Sequence, residues 1–277
     1  MIRLGTRGSA LALAQAEWVG SRLGMPYELV RIDAAGPAGD KSRWVSELER
    51  ALLEGEIDAA VHSAKDVPAE LADGLELVAI PPREDPRDAI CGAPSLSSLR
   101  SGARVGTSSL RRAAQILAAR DDLEVVEVRG NVDTRLRKLA GGECHALVLA
   151  VAGLARLGRL DAVDGILEEF VPAAGQGALA VEARPGRVAV SVLVDAGATA
   201  CVMAERDLTR ALGASCNTPV GAHARVVDGG GDVELTGWVG RADGSVWVQD
   251  VVRGPGAEVG GAVAERLLAV GAAELLS

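Results

Sequence analysis

One short segment of the chain gathers ionisable side chains directly after an apolar run. The run is residues 59–61, and the segment that follows it, HSAKDVP, contains His62, Lys65 and Asp66. A carboxylate next to an ammonium at the end of a strand can form an acid–base pair or stabilise a substrate cation. The same residues also fit a turn closed by Asp66 and Pro68 that carries a surface ion pair. The segment alone leaves both interpretations open.

Three further segments place arginines and hydroxyl or amide side chains at predicted junctions between a strand and a helix. Their sequences are GTRGS at 5–9, VGTSSLRR at 105–112 and RGNVDTR at 129–135. The free N–H groups and the dipole of a helix N-terminus favour an anion, and a guanidinium matches a planar carboxylate. The expected ligand therefore carries several carboxylates or phosphates. Well-capped helices with solvated arginines are the alternative. No segment has the pattern of a Walker loop or of a dinucleotide-binding fingerprint.

The charge of the chain argues against a polyanionic partner for the molecule as a whole. Its formal net charge is −9, so neither nucleic acid nor an anionic membrane surface is expected as a partner. Between residues 100 and 138, however, nine basic side chains accompany five acidic ones. A local excess of this kind suits a small polyanion better than a long polymer.

The cysteines predict neither a disulfide framework nor a metal site. The chain has four of them, Cys91, Cys144, Cys201 and Cys216. None is spaced as C-x-x-C, and reduced thiols in a cytoplasmic protein are the expected state. The N-terminal apolar stretch is interrupted by Gln15 and Glu17, so it predicts neither a secretion signal nor a membrane span. Cys216 differs because it lies in a predicted loop, where a thiol is accessible, although a loop cysteine is most often incidental.

Apolar runs alternate with helical patterns over the first two-thirds of the chain and predict βαβ units around a mainly parallel sheet. A Pro-rich passage at 80–86 interrupts the pattern, and the stretch VPAAGQGALAVEA at 171–183 predicts a return of the chain. From about residue 189 the pattern changes to α+β. Two crossings between the first two domains predict a cleft for the ligand. We therefore expect an α/β fold in three domains: residues 1–82 with 175–188, residues 87–172, and residues 190–277.

The individual elements follow from periodicity and from helix caps. Ser9 is the expected cap of the first helix. Helices are predicted at 9–23, 43–54, 109–119, 131–140, 151–157, 199–212 and 257–268. Strands are predicted at 2–4, 27–32, 59–61, 104–106, 123–128, 145–150, 222–227, 232–239 and 245–252.

Seven segments spread over nearly the whole chain form one ordered set. They are GTRGSALALAQA, HSAKDVPAELADGLELVAIPPREDPRDA, VGTSSLRRAAQ, EVRGNVDTRLRKL, LVLAVAGLARLG, VPAAGQGALAVE and ERDLTRALGASCNTPVGAHA. In this order they resemble the porphobilinogen deaminase family. The resemblance implies two α/β lobes like those of periplasmic binding proteins, plus a C-terminal α+β domain. It also implies a monomeric transferase that condenses four porphobilinogen molecules head to tail, with loss of ammonia, into hydroxymethylbilane. It implies no metal.

The resemblance also assigns roles residue by residue. Cys216 matches the cysteine that holds a dipyrromethane cofactor through a thioether, on which the oligopyrrole chain grows. Asp66 matches the catalytic aspartate, which contacts pyrrole N–H groups and stabilises the cation left when ammonia departs. Other positions that match cofactor contacts are Lys65, Thr107, Ser108, Ser109, Arg111, Arg112 and Arg129. Positions that match substrate contacts are Arg7, Ser9, Gln15, Lys41, Arg135 and Arg156.

Two segments depart from the family pattern. Ala214 and Ser215 stand before Cys216, where the family usually has two glycines, and residues 33–44 are shorter than the family's lid. A shorter lid is expected to shield the reaction less well. The competing hypothesis is a cytosolic protein that binds anions or tetrapyrrole precursors with little turnover, because fold does not determine function. The Asp66 segment and the Cys216 loop are the features that a simple receptor does not need.

Overall fold

The computed structural model describes residues 1–33, 41–215, 218–227 and 231–276, and for residues 41–44 it describes the main chain alone. Its strands are β1 (Ile2–Thr6), β2 (Tyr27–Arg31), β3 (Ala59–Ser63), β4 (Glu76–Ala79), β5 (Asp88–Cys91), β6 (Arg104–Thr107), β7 (Glu124–Glu127), β8 (Ala146–Ala150), β9 (Gly165–Leu167), β10 (Leu179–Ala183), β11 (Val220–Val226), β12 (Asp232–Gly240) and β13 (Trp247–Pro255). Its helices are α1 (Ala10–Gly20), α2 (Lys41–Leu53), α3 (Leu110–Ala119), α4 (Val132–Ala140), α5 (Val151–Arg156), α6 (Ala196–Ala211), α7 (Gly256–Ala269) and α8 (Ala272–Leu275).

The first sheet forms lobe 1 and has the strand order β2-β1-β3-β10-β4. β1 pairs in parallel with β2 and β3, whereas β10 pairs antiparallel with β3 and β4. Leu4, Val61 and Val181 bring buried side chains from three of these strands into one core with Ala16 and Val19 of α1. Because Ala16 and Val19 recur at helical spacing, one face of α1 covers the sheet.

The second sheet forms lobe 2 and repeats this arrangement in the order β7-β6-β8-β5-β9. β6 pairs in parallel with β7 and β8, whereas β5 pairs antiparallel with β8 and β9. In each lobe the antiparallel strand is the one that the chain supplies after crossing from the other lobe. We call residues 80–87 the first crossing segment and residues 168–178 the second. The return of the chain that was predicted near 171–183 is confirmed.

Side-chain caps explain where three of the lobe helices begin. The Ser9 hydroxyl accepts the N–H of Ala12 at the start of α1, as predicted. Ser109 caps α3 in the same way, and the Asn131 amide oxygen accepts a main-chain N–H at the start of α4. Ser and Asn are favoured at this position because they satisfy N–H groups that the helix leaves unpaired. The three helices therefore start within the glycine-containing segments 5–9, 105–112 and 129–135 or directly after them.

The third sheet has the order β11-β12-β13 and is antiparallel throughout. Leu208 of α6 and Val263 of α7 pack with Leu235 of this sheet in one core, so the two helices cover it. The Trp238 side chain of β12 lies outside this core and packs with Ala114 of lobe 2. The predicted fold class, two α/β lobes and a C-terminal α+β domain, is confirmed. The exact residue boundaries of the three domains remain a proposal.

A buried carboxylate on α6 joins the third domain to both crossing segments. Glu205 has no exposed surface, and its oxygens accept hydrogen bonds from Arg83 Nη1 at 2.6 Å and Nη2 at 3.2 Å. They also accept the main-chain N–H groups of Gly175 at 2.6 Å and Ala224 at 2.7 Å. Burial opposes the charged form, but Arg83 and His223 outweigh it and lower the pKa of Glu205. One ionised side chain thus holds three parts of the chain together.

Replacing Glu205 by glutamine is expected to lower the free energy of unfolding by about 3 kcal/mol, because the largely buried Arg83 guanidinium loses its counter-charge. Denaturant unfolding followed by circular dichroism measures this loss. Glu70→Gln is the matched control. Glu70 pairs with Arg210 of α6 at 2.9 Å but is 79% exposed, so this pair should contribute little to the free energy of unfolding. Equal losses for the two variants would contradict the role given to Glu205.

Short strands account for most of the differences between prediction and structure. β4, β5 and β9 had no predicted counterpart, and each has only three or four residues. A strand of this length shows too little alternation to be recognised. β3 continues to Ser63, so His62 lies within the strand rather than in the turn that follows it. Within the described part of the chain, no helix is long and apolar enough to cross a membrane.

Candidate active site

The carboxyl ends of β1 and β3 lie side by side at one edge of the lobe 1 sheet. Arg7 follows β1, and a 3₁₀ turn, Ala64–Asp66, follows β3 directly. Arg7 Nη1 lies 3.8 Å from Asp66 Oδ2, and the two side chains are 31% and 17% exposed. Ligands of open α/β sheets bind at this edge. Asp66 therefore lies at the ligand-binding edge of the sheet, and its partly exposed carboxylate can contact a ligand.

A small pocket beside this pair brings together three of the four predicted substrate contacts of lobe 1, namely Arg7, Ser9 and Gln15. Its lining includes Arg7, Ser9, Gln15 and Asp66 together with apolar side chains. Gln15 is buried, and its Nε2 donates to the Ser63 hydroxyl at 2.9 Å. The pocket thus has polar groups beside an apolar wall, which is the usual composition of a small-molecule site.

The three predicted hydroxyl donors of lobe 2 have different surroundings. Thr107 is buried at the end of β6, and its Oγ1 accepts the N–H of Ser109 at 3.2 Å. Ser109 caps α3, so its hydroxyl already accepts a main-chain N–H. Ser108 is exposed, and its hydroxyl accepts a hydrogen bond from Arg135 Nη2 at 3.1 Å. Thr107 and Ser109 therefore shape the junction, whereas Ser108 is the hydroxyl that faces solvent.

The two consecutive arginines of α3 point into the protein and share one carboxylate. Arg111 and Arg112 are 3% and 6% exposed, and Asp88 of β5 is fully buried. Arg111 Nη2 lies 2.8 Å from Asp88 Oδ2, and Arg112 Nη2 lies 2.7 Å from Asp88 Oδ1. Burial opposes the charged carboxylate, but the two arginines outweigh it and hold the pKa of Asp88 well below its usual range. Two cations against one anion leave one positive charge for a ligand, so Asp88 neutralises part of the positive charge that the sequence predicts for the junction at 105–112.

Arg135 links the two lobes electrostatically. Its Nε donates to the main-chain oxygen of Gly130 at 2.8 Å, and its Nη2 reaches Ser108. Burial and the charge of Arg112 lower the pKa of Arg135, while the Asp66 carboxylate opposes this shift. The charges of Asp66 in lobe 1 and of Arg112 in lobe 2 thus both act on the guanidinium of Arg135.

The other two predicted arginines differ from each other in burial. Arg156 Nη2 donates to the main-chain oxygen of Gly177 at 2.7 Å, and burial lowers the pKa of Arg156. Arg129 is 64% exposed and pairs with Glu127 at 2.8 Å. Arg156 therefore binds the second crossing segment from the end of α5, whereas Arg129 is a solvated side chain in this structure.

Two predicted site residues fall on positions without a side-chain description. Cys216 lies outside the described residues. Lys41 is the first residue of α2, and its side chain lies outside the described part of the structure.

Three polar residues that support the site were not predicted from the sequence: Asp88, Gln176 and Arg206. Arg206 of α6 is 5% exposed and donates to the main-chain oxygens of Val67 at 3.2 Å and Pro68 at 2.7 Å. It therefore anchors the loop that follows Asp66 to the third domain. A glutamine between two glycines, GQG, was the one available sequence signal. The residues next to Asp88 and Arg206 in the sequence do not indicate their role in the site, because the partners of both side chains are distant in sequence.

Comparison with known proteins decides the family. Residues 2–191 match the family model "Porphobilinogen deaminase, dipyromethane cofactor binding domain", and residues 199–269 match "Porphobilinogen deaminase, C-terminal domain". The chain belongs to the porphobilinogen deaminase family. The resemblance drawn from the seven sequence segments is thereby confirmed.

Relatives named porphobilinogen deaminase match this chain over its whole length. The protein of Trichlorobacter lovleyi is 45% identical over 99% of this chain and 95% of its own. That of Geobacter sulfurreducens is 44% identical over 100% of this chain and 94% of its own, and that of Deinococcus deserti is 42% identical over 99% and 97%. A periplasmic solute binding protein from Desulfovibrio salexigens shares 12% identity over 72% of each chain with a TM-score of 0.42, a likeness too weak to support any assignment.

The porphobilinogen deaminase family model names a dipyrromethane cofactor, and the described residues fit such a group. A dipyrromethane carries acetate and propionate carboxylates together with pyrrole N–H groups. Lys65, Arg112 and Arg135 supply cations, Asp66 supplies acceptor oxygens, and Arg111 Nε is buried with no hydrogen-bond partner among the described residues. This donor set matches a polycarboxylate that also donates N–H bonds. Among the described residues, no cluster of His, Cys, Asp and Glu is arranged to hold a metal ion.

Proposed function

We propose that this protein condenses four porphobilinogen molecules head to tail into hydroxymethylbilane, with loss of one ammonia per addition, on a covalently held dipyrromethane. The observation that carries the proposal is the position of Asp66, an accessible carboxylate at the edge of the sheet, 3.8 Å from Arg7 and adjacent to Lys65, which Gln176 connects to Arg112 of lobe 2. Similarity to porphobilinogen deaminases over 99% of the chain supports the same activity.

Asp66 acts on the positive charge that develops during the reaction. Its carboxylate accepts the pyrrole N–H of porphobilinogen and stabilises the cation that forms as ammonia leaves. A charge placed where the opposite charge appears only in the transition state raises turnover more than binding. Arg7, at 3.8 Å, orients the carboxylate and leaves it capacity to accept further hydrogen bonds.

Cationic side chains hold the carboxylates of substrate and product. Arg7 lies beside Asp66 in lobe 1, Arg135 of lobe 2 interacts electrostatically with Asp66, and Arg156 binds the second crossing segment. Ser9, Gln15 and Lys41 are further proposed substrate contacts, and the cofactor contacts are Lys65, Thr107, Ser108, Ser109, Arg111, Arg112 and Arg129. An acidic protein with this local cationic surface retains a polycarboxylate without attracting a polyanionic polymer.

Cys216 is the proposed attachment point of the cofactor, which supplies the pyrrole carbon that primes chain growth. The other cysteines are poor candidates, because all three are buried. Burial raises the pKa of Cys91 and of Cys201 to about 11 and raises that of Cys144 as well, so their thiolates are scarce at neutral pH. On either side of Cys216 in the sequence, the Thr218 hydroxyl donates a hydrogen bond to the main-chain oxygen of Ser215 at 2.7 Å.

A binding protein without turnover has less support. A receptor for anions needs the arginines but not a carboxylate between them, and Asp66 would repel an anionic ligand. The proposal also includes a cytoplasmic location and action as a monomer. Size-exclusion chromatography with light scattering tests the oligomeric state directly.

The proposed substrate contact is tested by Arg135→Lys. Lysine keeps the charge but loses the fork that bonds a carboxylate twice. We expect KM for porphobilinogen to rise about tenfold, which corresponds to one lost charged hydrogen bond. Arg137→Lys is the control, because Arg137 lies on the same helix but is exposed. Wild-type kinetics for Arg135→Lys would identify Arg135 as a merely structural residue.

A further inference from the structure

Gln176 is buried in the second crossing segment, where that segment passes between the lobes. Its side chain and main chain together are 1% exposed. The glycines on either side have positive φ, +71° for Gly175 and +87° for Gly177. A Cβ on Gly175 would lie 2.9 Å from Lys65 N, and one on Gly177 would lie 2.4 Å from Glu84 O. Only glycine fits in both places, so the main chain of Gln176 is held between the turn Ala64–Asp66 and the first crossing segment.

The Gln176 amide makes hydrogen bonds to both lobes. Its Oε1 accepts from Lys65 Nζ at 3.2 Å, next to Asp66, and from Arg112 Nη2 at 3.4 Å. Its Nε2 donates to Asp88 Oδ1 at 2.8 Å and to the main-chain oxygen of Pro86 at 2.6 Å. The side chain therefore connects the residue beside the catalytic carboxylate to the carboxylate that holds the two α3 arginines.

An amide is the side chain that this position requires. Its oxygen faces two cations, and its NH₂ group faces a carboxylate and a carbonyl. Glutamate would place a second negative charge against Asp88, and an apolar side chain would leave Asp88 and Pro86 O each one donor short. Buried polar networks of this kind set geometry when every member is satisfied.

We propose that Gln176 is a positioning residue for the condensation, which aligns Lys65 and Asp66 of lobe 1 with the Asp88–Arg112 pair of lobe 2. The inference rests on the proposed function. Gln176 is almost fully buried, and it acts through its partners. Since two of these partners, Lys65 and Arg112, are proposed cofactor contacts, its loss misaligns the growing chain with the bound substrate more than it changes the substrate contacts Arg7, Ser9 and Gln15 of lobe 1.

The test compares Gln176→Leu with Gln115→Leu. Gln115 is also a buried amide, 5% exposed, and its side chain bonds twice to the main chain of Val171, at 3.0 and 2.7 Å. Both substitutions remove a buried amide of the same size, but only Gln176 reaches charged residues of the site. Melting temperature, cofactor content by intact mass, kcat and KM are measured for wild type and both variants.

We expect kcat of Gln176→Leu to fall at least roughly tenfold below that of Gln115→Leu, the scale of a modest misplacement of reacting groups. KM should change by less than about threefold, since the substrate pocket is kept. Lys65→Met breaks the same hydrogen bond but also removes a proposed cofactor contact, so the kcat loss of the double variant should be smaller than the product of the two single losses. If Gln176→Leu does not fold, Gln176→Asn, which keeps the amide but shortens its reach, should show the same loss of kcat.

Equal kcat losses for the two glutamine variants, or fully multiplicative losses with Lys65→Met, would overturn the positioning role. A wild-type protein that releases no hydroxymethylbilane would instead overturn the proposed function. The two failures are therefore distinguishable in one set of assays.

Discussion

Replacing Asp66 by asparagine is expected to slow each condensation by roughly 100- to 1000-fold, the range found when a preorganised transition-state contact is removed. The amide keeps the size of the carboxylate and its capacity to accept an N–H, but it loses the charge. Charge matters most when the substrate becomes cationic, so kcat should fall while KM changes little. Single-turnover kinetics, with intact mass to count the units added, measure the rate of each step.

The fold should survive this change. Asp66 keeps 17% exposure and its pair with Arg7 is loose, at 3.8 Å, so no buried charge is stranded. The loop after it is held by Arg206 through main-chain oxygens, which the substitution does not alter. Asp73→Asn, an exposed aspartate further along the same loop, is the control. Normal turnover with weakened substrate binding in Asp66→Asn would assign Asp66 to binding instead of catalysis.

Replacing Cys216 by serine is expected to abolish turnover, because a serine hydroxyl without an activating base is a poor nucleophile and acquires no cofactor. The melting temperature of the variant, compared with that of wild-type protein produced in cells that make no porphobilinogen and therefore lacking the cofactor, shows whether the fold is kept. Cys201→Ala is the control, since Cys201 is buried on α6 and its raised pKa keeps it a thiol. Substantial activity of Cys216→Ser would rule out the thioether.

Local chemistry explains what could be predicted from the sequence. The Ser9 cap and the positions of β1, β6 and α3 depend on neighbouring residues, and they lie where the prediction places them, within a few residues. The carboxyl-edge position of Asp66 follows from the parallel pairing of β1 with β3. The family resemblance added the roles of Asp66 and Cys216, which the residues alone had left open or had suggested to be incidental.

Partners that are distant in sequence explain what could not be predicted. Whether Arg112 faces solvent or the interior depends on Asp88, 24 positions away. Lys65 meets Gln176 across 111 positions, and Arg206 meets Val67 across 139. β5 pairs with β8, and β10 pairs with β3, so these strands also have partners that are distant in sequence. Such contacts leave no periodic pattern, so they become visible only in the folded chain.

Intact-mass spectrometry of the purified protein shows whether Cys216 carries a dipyrromethane on which the chain grows. We expect the wild-type mass to exceed that of the polypeptide by one dipyrromethane, Cys216→Ser to lack this excess, and brief exposure to porphobilinogen to add further species, each heavier by one pyrrole unit. A fully active protein whose mass equals that of the bare polypeptide would contradict this expectation.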